Sequence, residues 1–222
     1  MQKSSFRRAI APTLASILAS TTVAAMLAAC SGSKNNPYLN IADPPLTRAT
    51  LHTVTLVTGN PDLAGTMQGQ GYTALTFPSN YPGAVRVESA IWDVPEEVAA
   101  AVVHLAPPAG RGPNQRLLVT STPAQRKAPE PDPQVMQAFF RNVLGTEMPR
   151  WPDAALTAGA HVQVWTFRID DVVATARRMR EAHIPVTFSP VDLTTAYLGD
   201  HRTMAIRAPD DTVIELVQTA AN

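Results

Sequence analysis

Apolar and polar residues alternate along Leu51-His52-Thr53-Val54-Thr55-Leu56-Val57, and this period of two predicts a strand with His52, Val54 and Leu56 on one face. Gly59-Asn60-Pro61-Asp62 follows as a helix start, with Asn60 as the cap, Pro61 at the first helical position, Leu63 and Met67 as a short apolar stripe and Gly71 as the stop. Short strands are expected near residues 72–77 and 84–87, a helical turn across 92–97, and strands at 102–105 and 116–119. Past a Pro-rich stretch comes the clearest amphipathic helix, capped by Asp132, opened by Pro133 and ended by Gly145, with Val135, Met136, Phe139, Phe140, Val143 and Leu144 on one apolar face. His161-Val162-Gln163-Val164-Trp165-Thr166-Phe167 then reads as a strand. Asp170 or Asp171 caps a helix bearing Val172, Val173, Ala176 and Met179, which Pro185 stops. Strands follow at 186–188, 194–198, 203–207 and 213–218. Strand, helix and a run of strands thus occur twice, each unit opening with His-x-Val, and an internal duplication explains this most simply.

The run Val213-Ile214-Glu215-Leu216-Val217 sets a carboxylate in the middle of an apolar strand. Ile214 and Leu216 share one face, and Val213, Glu215 and Val217 the other. An ionised carboxylate in such a wall needs a partner, either a ligand in a cleft or a cation, for which Arg202 and Arg207 are the candidates. His104 and His183 fall at a strand and at a helix end, where solvated or capping roles are expected. Neither a Gly-x-Ser-x-Gly elbow nor a Gly-rich phosphate loop occurs, so a serine hydrolase and a nucleotide-binding enzyme have no support.

The formal net charge of the 222 residues is +0, and no basic stripe interleaved with aromatics is present, which argues against a nucleic-acid partner. The first 29 residues form a separate segment: Lys3, Arg7 and Arg8 lead a run of apolar and small residues that ends in Leu27-Ala28-Ala29-Cys30. This resembles the signal peptide and lipobox of a bacterial lipoprotein, and the resemblance implies cleavage before Cys30 and acylation of its thiol. Cys30 is the single cysteine, so a mature lipidated chain keeps no thiol for catalysis, disulfide formation or metal binding. Loss of the three leader cations leaves the remainder at −3. Attachment to a membrane would rest on the lipid alone. With Ser31 rather than Asp after the cysteine, the expected location is the cell envelope at the outer membrane, facing the periplasm. Residues 30–49 read as a lipidated tether rich in Asn and Pro, 50–122 as a first module, 123–156 as linker and amphipathic helix, and 157–222 as a second module.

His161-Val162-Gln163-Val164, the helix ending before His183-Ile184-Pro185-Val186, and Ala208-Pro209-Asp210-Asp211-Thr212-Val213-Ile214-Glu215-Leu216-Val217 together resemble the second module of the vicinal oxygen chelate superfamily, which includes glyoxalases, extradiol dioxygenases and antibiotic-resistance proteins. Its usual Asp-Pro-Asp-Gly turn appears here with Ala208 for the first Asp and Asp211 for the Gly. Over 50–122 the resemblance rests on the opening strand and the order of elements. It implies an α+β fold in which two βαβββ modules pair, within one chain or exchanged across a homodimer, so that curled mixed sheets enclose a cleft, with the Phe139/Phe140 helix bridging them. It further implies a metal held by His52, His161 and Glu215, the fourth position falling at about Leu118, which cannot bind one. Two neutral imidazoles and one carboxylate would leave a divalent ion (Fe, Mn, Ni or Zn) open to an oxygen ligand.

The function expected on this basis is that of an envelope-anchored lyase, isomerase or dioxygenase acting on a small organic molecule. Two alternatives stand beside it. One is a metal-free lipoprotein that binds a small ligand in the same cleft, where Gln163, Trp165 and Tyr197 would line the walls. The other is a structural envelope lipoprotein with a vestigial site.

Overall fold

The computed structural model describes residues 38–39, 41, 43–46, 48–109, 112–121, 131–149 and 159–219. The leader, Cys30 and residues 122–130 of the expected linker lie outside the described residues. Eight strands form one mixed sheet: β1 (Thr50–Thr58), β2 (Thr73–Leu75), β3 (Val103–Ala106), β4 (Asn114–Val119), β5 (Ala160–Arg168), β6 (Val186–Thr195), β7 (Gly199–Arg207) and β8 (Val213–Thr219). Their order is β2-β3-β4-β1-β5-β8-β7-β6. Each opening strand pairs in parallel with the last strand of its own half, β1 with β4 and β5 with β8, and the two opening strands join the halves by antiparallel pairing. The second half therefore repeats the first in reverse spatial order, as the duplicated sequence pattern predicts.

The two faces of the sheet are buried by different means. On the outer face Val54, Leu56, Leu117, Phe167, Ile214 and Leu216 pack against α1 (Leu63–Gly69), α4 (Pro133–Leu144) and α5 (Val172–Glu181). The ring of Phe140 lies 6.2 Å from that of Phe167, and Phe139 meets Tyr38 edge-on at 5.2 Å. Both caps form as expected: the Asp132 carboxylate accepts the backbone N–H of Gln134, the Asp171 carboxylate that of Ala174, and Gly145 closes α4 at φ 62°. Because α4 packs on strands from both halves, it bridges them.

The inner face is closed by an element the alternation pattern hides. Residues 84–87 are not a strand but part of α2 (Pro82–Trp92), opened by Pro82 and ended by Asp93 at φ 56°. A run of Ala-Val-Arg-Val is ambiguous over four residues, and the flanking Pro and the tertiary contacts of Ile91 and Trp92 decide for the helix. α2 and α3 (Glu96–Ala100) lie on the inner face, where Ile91, Trp92 and Ala99 pack on Val57, Leu118, Val164, Ala205 and Val213. The cleft is thus filled at its centre by helices of the first half.

Further boundaries differ from expectation: α1 starts at Leu63 with Asp62 at its N-cap, two residues past the expected start at Pro61 and its Asn60 cap. β6 is one continuous strand to Thr195, and residues 196–198 form the turn to β7 rather than a strand. The end of the expected tether docks: Leu46 and Ala49 are buried, and the carbonyl of Pro45 accepts from Arg178 Nε at 2.7 Å. Among the described residues no helix is long and apolar enough to cross a membrane.

If α4 is a core element and not a mobile bridge, Phe140→Ala will destabilise the protein by about 3–5 kcal/mol while Asp132→Ala costs about 1 kcal/mol. Urea unfolding followed by circular dichroism reads both; a Phe140→Ala loss no larger than the cap loss would contradict the packing.

Candidate functional site

Arg116 stands beside Thr55 on the inner face, and its side chain reaches across β1 to the second half of the sheet. Its guanidinium donates to Glu215 Oε2 at 2.8 Å and to the hydroxyl of Thr166. Thr166 Oγ1 in turn donates to the same carboxylate oxygen at 2.7 Å, and Thr203 Oγ1 approaches the other at 3.5 Å. Both ionic groups are almost wholly enclosed, Arg116 at 1% and Glu215 at 2% exposure, and the guanidinium carbon lies 4.5 Å from the centre of the Trp92 ring. Burial alone would push the Glu215 carboxyl up, but the Arg116 charge and the hydrogen bonds from Arg116 and Thr166 outweigh it and hold the group below its ordinary value. The carboxylate that the strand pattern singles out therefore has a cation for partner, and it is Arg116 rather than Arg202 or Arg207. Those two lie on the periphery, paired with Asp192 at 2.7 Å and Asp93 at 3.0 Å.

Toward the β2 edge of the inner face lies a cavity of about 440 Å³ whose walls include Phe77, Val85, His104 and Tyr197. Tyr197 comes from the β6–β7 turn of the second half and is fixed on the first: its hydroxyl shares a hydrogen bond with Thr53 Oγ1 at 2.8 Å and accepts from Asn114 Nδ2 at 3.0 Å. Its ring lies 4.5 Å from that of His104, 5.4 Å from Phe77 and 5.6 Å from His52. Burial, with the nearby Arg116 charge, pushes the imidazole of His104 down to about 4. Burial with the charges of Arg168 and Arg116, opposed by Glu215, does the same to His52. Both rings are neutral at pH 7. Behind Tyr197, Asn80 accepts the backbone N–H of Ala196 at 2.8 Å and donates to Glu88 Oε2 at 2.8 Å. Glu88 lies on the buried side of α2, and desolvation, which Arg116 and the Asn80 bond only partly offset, pushes its carboxyl up to about 7.

The family model for the glyoxalase/bleomycin resistance protein/dioxygenase superfamily matches residues 57–216. The chain belongs to that superfamily. Solved structures to which the chain is similar include methylmalonyl-CoA epimerase from Mycobacterium tuberculosis, 16% identical with a TM-score of 0.43 over 78% of this chain and 89% of that one. The epimerase from Streptomyces coelicolor is 17% identical with a TM-score of 0.40, covering 79% and 99%. A mutant of 4-hydroxymandelate synthase from Streptomyces coelicolor is 13% identical with a TM-score of 0.41, covering 79% and 50%. These likenesses concern the fold alone. No protein of curated function matches the sequence.

The metal that the superfamily resemblance implies does not fit the residues present. His161 pairs with Val57 near the start of β5, five residues from Thr166, the neighbour of Glu215; at about 3.3 Å per residue that is about 16 Å away. His52 sits in a bulge between Leu51 and Thr53, with its Nδ1 2.7 Å from Thr53 Oγ1. Glu215 is engaged by a cation. Among the described residues no three His, Cys, Asp or Glu side chains assemble into a group that could hold a metal ion. His52 feels the charge of Glu215, and strand register separates His161 from both.

Of the other residues expected to line a cleft, Tyr197 is on the wall of the cavity. Trp165 faces the outer core with Phe167 and Leu216, because the β5 pleat points it away from Val164. Gln163 lies where the β1–β5 register shifts, and donates to the carbonyl of Trp92 at 2.8 Å, tying the end of α2 to the sheet. Arg116, Glu88, Phe77 and Trp92 are residues that sequence reasoning passed over. A signal for Arg116 is present in the sequence: a cation directly before the apolar run Leu117-Leu118-Val119 is the complement of a buried Glu.

Arg116→Met is expected to destabilise the protein by about 3–5 kcal/mol, since Glu215 would be left enclosed without its cation, whereas the double variant Arg116→Met/Glu215→Leu recovers most of that loss. Denaturant unfolding of both variants tests it; a double variant as unstable as the single would show that the loss does not come from the unpaired carboxylate. Glu88 gives a pH signature of opposite origin. Its folded value of about 7 lies above its ordinary 4.5, so its contribution to stability is fully present below about 4.5 and is lost as pH rises toward 7. Glu88→Gln should therefore gain on the wild type by about 2–3 kcal/mol between pH 5 and pH 8, read as the difference between two unfolding series.

Proposed function

We propose that this protein is a metal-independent, small-molecule-binding member of the glyoxalase/bleomycin resistance protein/dioxygenase superfamily, using the cavity beside Tyr197. The observation that carries this reading is the Arg116–Glu215 pair: the carboxylate that would have anchored a metal is held instead by a permanent cation, under a helix that fills the centre of the cleft. At the edge, Phe77, His104 and Tyr197 surround a volume within the range of small-ligand sites, with a few polar groups converging on it. Lyase, isomerase or dioxygenase chemistry at an ion shared by His52, His161 and Glu215 has no geometric support. The Leu27-Ala28-Ala29-Cys30 pattern supports lipidation at Cys30, and with it an outer-membrane location facing the periplasm, for the mature protein.

Two measurements on the purified full-length protein test the reading. Elemental analysis after anaerobic purification is expected to find no stoichiometric Fe, Mn, Ni or Zn, and a chelator should leave the melting temperature unchanged. A thermal-shift screen of small organic molecules is expected to yield ligands that stabilise the wild type, about 2.7 kcal/mol at a hundred times the Kd, and fail to stabilise Tyr197→Ala. One equivalent of metal that disappears in both His161→Ala and Glu215→Ala would sink the proposal.

A further inference from the structure

We infer that the cavity beside Tyr197 selects an uncharged, flat aromatic molecule and excludes organic anions such as carboxylates and phosphate esters; this rests on the small-molecule reading above and gives it a ligand class. Among the described residues lining this cavity there is no Asp, Glu, Lys or Arg. Two further clefts differ: one carries Asp192, Asp200 and Arg202, another Asp93 and Glu97. Three rings from three separate elements converge on the uncharged site. Phe77 meets His104 edge-on at 5.2 Å and 79°, and His104 lies over Tyr197 at 4.5 Å with 34° between planes. Such a wall of faces and edges suits a planar π system, which can stack on one ring while meeting another edge-on.

Two of the polar side chains nearby are already committed, while His104 Nδ1 is buried without a hydrogen-bond partner among the described residues and is left to meet a neutral polar substituent. The Tyr197 hydroxyl is shared between Thr53 and Asn114, and the Asn80 amide between Ala196 and Glu88. The Arg116 guanidinium, whose charge reaches His104, is neutralised by Glu215, and His104 carries no charge at neutral pH. An anion entering here would give up its hydration without meeting a cation, while a neutral arene gives up little. A cavity of about 440 Å³ leaves room for a fused two-ring molecule with its substituents.

The test is calorimetric titration of the full-length protein at pH 7 with 2-naphthol and with 2-naphthoate, which share a ring system and differ in charge. The expected result is binding of naphthol, with naphthoate at least about tenfold weaker. Ala100→Trp places an indole at the cavity wall from an exposed position at the end of α3, and should abolish naphthol binding with the melting temperature preserved. Ser79→Arg, on the exposed rim, should restore naphthoate to within a few-fold of naphthol. Naphthoate binding as tightly as naphthol in the wild type would overturn the exclusion of anions while leaving the small-molecule reading in place. Naphthol binding undiminished in Ala100→Trp would overturn the location. Failure of both probes in the wild type, with other molecules stabilising it through Tyr197, would overturn the ligand class alone.

Discussion

The structure depends on one desolvated ion pair. Arg116 and Glu215 come from the last strands of opposite halves of the sheet, and their contact spans β1 and β5, the two strands on which the halves meet. Taking both charges out of water is costly, and the mutual attraction offsets that cost only with good geometry and further hydrogen bonds. Thr166 and Thr203 supply hydrogen bonds on the carboxylate side, and the Trp92 ring covers the guanidinium. The arrangement also fixes register. A slip of one residue between β5 and β8 would turn Glu215 to the outer face, toward Leu56 and Phe167 and away from Arg116, and would turn Ile214 and Leu216 inward.

The pair also explains why the inner face is covered. A charged contact left in an open cleft would be screened and weak, and enclosure strengthens it. α2 and α3 supply that enclosure, and Gln163 secures it by holding the carbonyl of Trp92. The same helices bring a second acid, Glu88, close to the buried pair. Kept largely protonated at mildly acid pH, it adds no uncompensated negative charge; at higher pH its ionisation works against the fold, and the stability of the inner face becomes linked to proton uptake.

Much of this was legible in the sequence. Alternation and caps located most of the strands and both long outer helices, because half-buried strands and capped helices write their period directly into local sequence. The duplicated order of elements carried the sheet topology, and the Val213–Val217 run marked Glu215 as the residue needing an explanation. What failed was everything decided across long sequence separations. Pairing of Arg116 with Glu215 spans 99 residues and left no local trace. His161 shares the His-x-Val opening with His52, yet the antiparallel register sends the two toward opposite ends of the β1–β5 ladder. Residues 84–87 of α2 read as a strand because Ala-Val-Arg-Val is ambiguous over so short a run, and Trp165 reads as a cleft residue because the phase of β5 depends on the irregularity at Gln163.

These misreadings share a cause that bears on function. A superfamily scaffold offers its concave centre as the site, and a reading by resemblance puts the chemistry there. In this chain the centre has become core: charge is matched by charge, and a helix seals it. The segment that seals the centre also builds the wall of the peripheral cavity, since Val85 and Ala99 of α2 and α3 face Tyr197 of the second half across it. Tyr197 is held in place by Thr53 and Asn114, the inner-face neighbours one step along β1 and β4 from Thr55 and Arg116. The ion pair and the aromatic cavity are therefore built on adjacent rungs of the same two strands. A change that loosens the first should disturb the second, and the rigidity needed to stack a ligand between fixed rings is supplied by a contact that the ligand never touches.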